Sequence, residues 1–92
     1  MISLEKKVQI SMLLQIYGKM LTEKQYELAN DYYNNDLSLS EIAENNNITR
    51  QAVNDVINKG KNKLIEIEEK LAFMKKMLNQ EKEIKLTEIE TN

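Results

Sequence analysis

The sequence predicts an all-α fold: a helix-turn-helix followed by a long C-terminal helical extension. Three observations support this. The 92 residues contain no proline and only two glycines, so little interrupts helical structure. Apolar residues recur three and four positions apart, which is the spacing of one face of a helix. Three segments open with a helix-capping residue, namely Thr22, Ser38 and Thr49.

The first helix is predicted from about Leu4 to Tyr17. Its apolar residues lie four apart, and Leu13, Tyr17 and Met20 widen the stripe. Gly18 either ends this helix or is tolerated within a slightly longer one. The stripe expected to be buried begins with Leu4, Val8, Met12 and Ile16.

The second helix is predicted from about Glu23 to Asn34. Thr22 caps it, and Gln25 three residues later completes a capping box. Its tyrosines could stack on nucleic-acid bases, but at helical spacing they indicate core packing. The loop that follows is formed by residues 34–36. The expected core residues are Tyr26, Leu28, Ala29, Tyr32 and Tyr33.

Residues 39–58 have the apolar spacing of a helix-turn-helix, with helices at about Leu39–Glu44 and Arg50–Ile57. Ser38 with Glu41 forms a second capping box, and Thr49 caps the next helix without an acidic partner. Asn47 occupies the sharp turn because Asn tolerates a left-handed backbone. The residues expected to join the two helices are Ile42, Ala43, Ile48, Val53 and Val56.

From Val53 onward, apolar residues alternate spacings of four and three, with Gly60 as an exception. This heptad pattern predicts one helix from Arg50 to about Gln80. The seam (Leu64, Ile67, Leu71, Met74 and Leu78) would fold back on the first helix, dock a partner, or pair with a second copy; we expect a homodimer. The predicted organisation is a helical domain at 1–60, an extension at 61–80 and a frayed tail at 81–92.

Composition excludes several classes of function. Without cysteine or histidine, the chain lacks thiolate metal ligands and the commonest general base. No glycine-rich phosphate loop is present, so we expect no enzyme, cofactor or metal site. Ile10 to Tyr17 is too short and mixed to span a bilayer, and the first ten residues lack a secretory pattern. A cytoplasmic protein is expected.

The charge distribution suggests a nucleic-acid interface. The net charge is −2, yet residues 49–64 carry four basic residues and only Asp55 as an acid. Arg50 and Gln51 suit bidentate contacts to base edges. Asp55 would either repel phosphate or orient Arg50 or Gln51 within the helix. The footprint is small, so binding should be weak and strongly salt-dependent. The candidate DNA-binding residues are Thr49, Arg50, Gln51, Asn54, Asn58, Lys59, Lys61 and Lys63.

Residues 20–25, 36–44 and 49–53 followed by Asp55 resemble the YlxM-type family of small bacterial helix-turn-helix proteins. Residues 38–53 are also similar to region four of sigma factors, whose matching helices bind promoter DNA. The chain departs from the pattern at Asn46, usually apolar, and Asn47, usually glycine. The resemblance implies a regulator encoded near signal recognition particle genes. Two readings stay open: a DNA-binding regulator, or a protein- or ribonucleoprotein-binding adaptor of the signal recognition particle machinery.

Overall fold

The computed structural model describes residues 4–74 and 76–79 and confirms the all-α prediction, since no strand occurs among them. Within these residues, four α-helices follow one another: α1 (Leu4–Tyr17), α2 (Glu23–Tyr33), α3 (Leu39–Asn46) and α4 (Arg50–Leu71). A 3₁₀ turn at Gly18–Met20 joins the first two. Residues 73, 74 and 76–79 are helical again.

The predicted caps begin three of the helices. Thr22 and Gln25 exchange side-chain-to-backbone hydrogen bonds of 3.1 Å each. Ser38 and Glu41 form the same reciprocal pair, at 3.0 and 3.1 Å. The Thr49 hydroxyl accepts from the Ala52 amide at 3.0 Å. These bonds satisfy amides that lack partners in the first turn of a helix, so the chain fixes its own helix starts.

The turn between α3 and α4 forms without glycine. Asn47 is left-handed (φ 59°, ψ 38°), and its amide donates to carbonyls at the end of α3. Asn46 is half-buried, and its side-chain amide donates to the Ile42 carbonyl at 2.7 Å. The two asparagines that depart from the family pattern therefore complete the turn with their own conformational tolerance and hydrogen bonding.

The core lies where α4 packs against the other three helices. Burying one large aliphatic side chain stabilises the fold by about 1.5–3 kcal/mol. A small domain of this kind depends on few such residues. The largest side chains with less than 2 % exposure are Leu14, Leu28, Ile42, Leu64 and Val53.

The buried side of α1 differs from the prediction. Val8 and Met20 are each 51 % exposed, whereas Ile10 and Leu14, outside the predicted stripe, are buried with Leu13 and Tyr17. The reason is that α1 carries apolar residues around most of its circumference, so spacing could not select a side. Contacts with α2 and α4 selected it. The side chain of Leu4 lies outside the described part.

In α2, the predicted core is confirmed at Leu28, Ala29 and Tyr33, but Tyr26 is 41 % exposed. The Tyr26 ring lies against Gly18: a Cβ there would be 2.7 Å from the ring. Tyr26 therefore covers the start of the 3₁₀ turn instead of entering the core.

The prediction of one helix from Arg50 to about Gln80 is wrong. The helix α4 ends at Leu71, and Ala72 adopts a left-handed conformation (φ 54°, ψ 28°). Contacts made by the next two residues stabilise this break. Residue 80 and the predicted frayed tail at 81–92 lie outside the described residues.

Candidate nucleic-acid interface

The start of α4 is buried on the side that faces the core and exposed on the opposite side. Val53 and Ile42 have no exposed surface, and Ala43 is 7 % exposed, which confirms the close contact predicted between α3 and α4. On the outer side, Arg50, Gln51 and Asn54 are exposed. They line an open concavity with Leu39 at the start of α3.

The remaining candidates divide between two faces of α4. A helix turns by about 100° per residue. One stripe of α4 therefore contains Arg50, Asn54, Asn58 and Lys61, with Gln51 beside it. Lys59 lies five residues after Asn54, about 140° around the helix. The fold thus groups the N-terminal candidates with Lys61. The exposed side chains of Lys59 and Lys63 lie on the other face.

Charge on the stripe is mixed. Arg50 supplies a cation, while the exposed Asp55 brings a carboxylate to the edge of the same surface. At the beginning of α3, hydrogen bonding from the Ser38 amide lowers the pKa of Glu41, which therefore stays ionised in its capping box at neutral pH. Because the charges of Arg50 and Asp55 cancel, the first two turns of α4 carry little net charge.

One contact was not predicted from the sequence. The Lys24 ammonium donates to the Asn46 side-chain oxygen at 3.2 Å, so α2 supports the end of α3 beside the turn. No local pattern signals a pair 22 residues apart.

The proposed seam is divided by the fold. Leu64 has no exposed surface, and Ile67 and Met74 pack partly against the core. Leu71 and Leu78 are 40 % and 59 % exposed. Within the seam, Leu71 and Leu78 are therefore the residues that leave apolar surface exposed for a partner.

A hydrogen-bonded cluster holds the chain after the break, and the sequence did not predict it. The Tyr17 hydroxyl donates to Glu68 Oε1 at 2.8 Å and accepts from the Phe73 amide at 3.1 Å. The Met74 amide donates to the same Glu68 oxygen at 2.9 Å. Burial, with the Glu68 hydrogen bond, raises the pKa of Tyr17. The hydroxyl therefore keeps its proton and continues to donate at neutral pH.

Within residues 4–74 and 76–79, no helix is long and apolar enough to cross a membrane. The same part of the chain shows no cluster of three or more carboxylates or other ligands suited to a metal ion. The open concavity on α4 is lined by the apolar Leu39, the neutral polar Gln51 and Asn54, and the cation Arg50. Such groups can donate and accept hydrogen bonds and attract an anion.

Comparison with known proteins identifies the family. Residues 4–92 match the model of the UPF0122 family, described as "Putative helix-turn-helix protein, YlxM / p13 like". A UPF0122 protein of Malacoplasma penetrans is 56 % identical over 66 residues, covering 72 % of this chain and 62 % of the relative. One of Fusobacterium nucleatum is 48 % identical over 81 residues, covering 88 % and 79 %. The chain thus spans about three-fifths of the first relative's length. With its helix-turn-helix in place, the chain belongs to the UPF0122 family of YlxM/p13-like helix-turn-helix proteins.

Proposed function

We propose that this protein is a regulator that reads double-stranded DNA with the first two turns of α4. The observation that carries the proposal is the exposure of Arg50, Gln51 and Asn54 on one side of a helix start whose opposite side is locked in the core. In helix-turn-helix proteins, the second helix lies in the major groove and its N-terminal residues meet base edges.

The side chains at this surface suit base recognition. Arginine pairs bidentately with guanine, and glutamine or asparagine pairs with adenine. Because Val53 and Ile42 fix the helix below them, Arg50, Gln51 and Asn54 need little reorganisation of the backbone to reach a groove.

The charge balance limits the strength of binding. The stripe carries Arg50 and Lys61 but borders Asp55, so few phosphates would be neutralised. Each neutralised phosphate contributes about −0.9 to the slope of log K against log salt. The expected complex is weak at physiological salt, and its salt dependence is shallower than the strong dependence expected from the sequence alone.

The test is selection of bound duplexes from a random library, followed by filter binding over a salt series. Arg50→Ala should lose about 1–3 kcal/mol on the selected site and relax base preference at one position. Asp55→Asn should strengthen binding to all duplexes. Lys70→Ala is the matched control: it also removes one cation, from an exposed pair with Glu66 (3.2 Å) about 30 Å further along α4.

Each variant must keep the wild-type helical content and melting temperature. No retention of duplexes by the wild-type protein at low salt would overturn the proposal. Equal binding by Arg50→Ala and the wild type would overturn it as well.

The other candidate is a protein- or ribonucleoprotein-binding adaptor of the signal recognition particle machinery. Apolar exposure favours it, since Phe73, Met77 and Leu78 are 50–59 % exposed at the C-terminal end of the described chain. Exposed apolar patches mark protein-binding surfaces. If signal recognition particle components bind the wild type but not Leu78→Asp, while random duplexes are not retained, the adaptor function replaces the DNA-reading one.

A further inference from the structure

The exposed stripe of α4 that we propose contacts DNA continues beyond the first two turns of the helix. Arg50, Asn54, Asn58 and Lys61 follow one another at spacings of four, four and three residues. At about 1.5 Å per residue, Lys61 lies about 16 Å along the axis from Arg50. The major groove of B-DNA is about 12 Å wide. If α4 lies in a major groove, a side chain at this distance would be past the base edges and beside the backbone that borders the groove.

A second lysine joins Lys61 from a different helix. Lys61 on α4 and Lys6 on α1 line the same cavity, whose lining also includes the apolar side chains Ile10 and Ile65. Lys61 is half-buried, as expected of a lysine whose aliphatic stem covers apolar surface while its ammonium reaches water. This packing restricts the position of Lys61 before any ligand binds.

The acidic side chains of the same cavity, Glu68 and Glu69, lie about two turns further along α4 than Lys61. Glu68 accepts hydrogen bonds from the Tyr17 hydroxyl and the Met74 amide, so its carboxylate is engaged with the chain after the break. Glu69 is exposed and also lines the cavity. Its carboxylate reduces the local positive potential, so the lysine pair should neutralise one phosphate of the DNA backbone and not a run of several.

We infer that Lys6 and Lys61 form a two-helix phosphate clamp on the DNA backbone beside the groove that α4 reads; this inference rests on the proposed function. It adds a residue from α1 to the interface. It also separates Lys61 from Lys59 and Lys63, which occupy the other face of α4. Phosphate contacts of this kind set register and orientation without reading sequence.

The experiment measures binding to a selected duplex and to a random duplex over a salt series, for the wild type, Lys6→Ala, Lys61→Ala and Lys63→Ala. Lys63→Ala is the matched control because it removes the same charge two residues away on a different face. Because the two lysines neutralise one phosphate, Lys6→Ala and Lys61→Ala should each reduce the salt slope by at most about 0.9, equally on both duplexes. Lys63→Ala should leave the slope unchanged.

The outcomes separate the two proposals. If the wild type binds and Arg50→Ala weakens it, but Lys61→Ala and Lys63→Ala behave alike, the clamp is overturned and the reading helix stands. A wild-type slope retained by Lys6→Ala also overturns the two-helix clamp. If the wild type retains no duplex at low salt, both proposals fail. Unchanged melting of each variant excludes loss of fold as the cause.

Discussion

Leu64 offers a sharp test of the fold because the heptad pattern placed it at a possible dimer interface. In the structure it has no exposed surface within a single chain. Leu64→Ala should therefore leave a cavity and cost about 2–5 kcal/mol. Alanine is the better helix former, so loss of helix propensity does not add to this cost.

The magnitude is large for a chain of this size. Domains of 60–100 residues lose roughly 4–8 °C of melting temperature per kcal/mol. A cost of about 3 kcal/mol thus lowers the melting temperature by about 12–24 °C. Leu71, 40 % exposed on the same helix, is the matched control, and Leu71→Ala should cost about 1 kcal/mol or less.

The assay is urea and thermal unfolding followed by circular dichroism, at a low and a high protein concentration. A core residue gives the same loss at both concentrations, whereas a residue at a dimer interface gives a concentration-dependent loss. Equal costs for the two variants would refute the reasoning, and so would a Leu64→Ala cost that depends on protein concentration.

Three further predictions concern the turn and two titrating side chains. The folded-state pKa of Glu41 lies below its ordinary value of 4.5, so the stability that Glu41 contributes is present above pH 4.5 and is lost as the pH falls. Acid titration of unfolding should show this dependence in the wild type. It should be absent in Glu41→Gln, which keeps the capping bond. Asn47→Ala should cost about 1–2 kcal/mol because φ is 59° there, while Asn47→Gly should melt no lower than the wild type; equal melting of both variants would contradict the left-handed turn. Burial raises the pKa of Tyr33 from 10.0 to about 12. The stability that the protonated Tyr33 contributes is therefore complete below pH 10 and is lost as the pH rises toward 12. Alkaline unfolding of Tyr33→Phe should lack this loss of stability, and identical unfolding profiles of variant and wild type would contradict the prediction.

Much of the helix-turn-helix was predictable from local residues. Helix starts depend on hydrogen bonds within three residues of Thr22, Ser38 and Thr49, and the sequence contains both partners of each. The turn depends on the backbone tolerance of Asn47 itself. Exposure of Arg50, Gln51 and Asn54 follows from their spacing relative to Val53 on one helix.

The candidate interface was predicted in part. Spacing alone would have separated Lys61 from Lys59 and Lys63, because all three lie on one regular helix. The place of Lys6 beside Lys61 could not be read in this way. It depends on how α1 packs against α4, which brings two residues 55 positions apart in sequence to the lining of one cavity.

The sequence by itself determined the helical class, the caps, the left-handed turn at Asn47 and the polar surface at the start of α4, because each depends on interactions within one or two helical turns. The tertiary structure decided which side of α1 is buried and where α4 ends. An apolar stripe or a heptad spacing indicates only that a helix surface is to be buried. Another helix of the same chain, a second copy or a different protein can bury it. The break at Ala72 is stabilised by Tyr17, which is 55 residues away in sequence. Its hydroxyl accepts a hydrogen bond from the Phe73 amide.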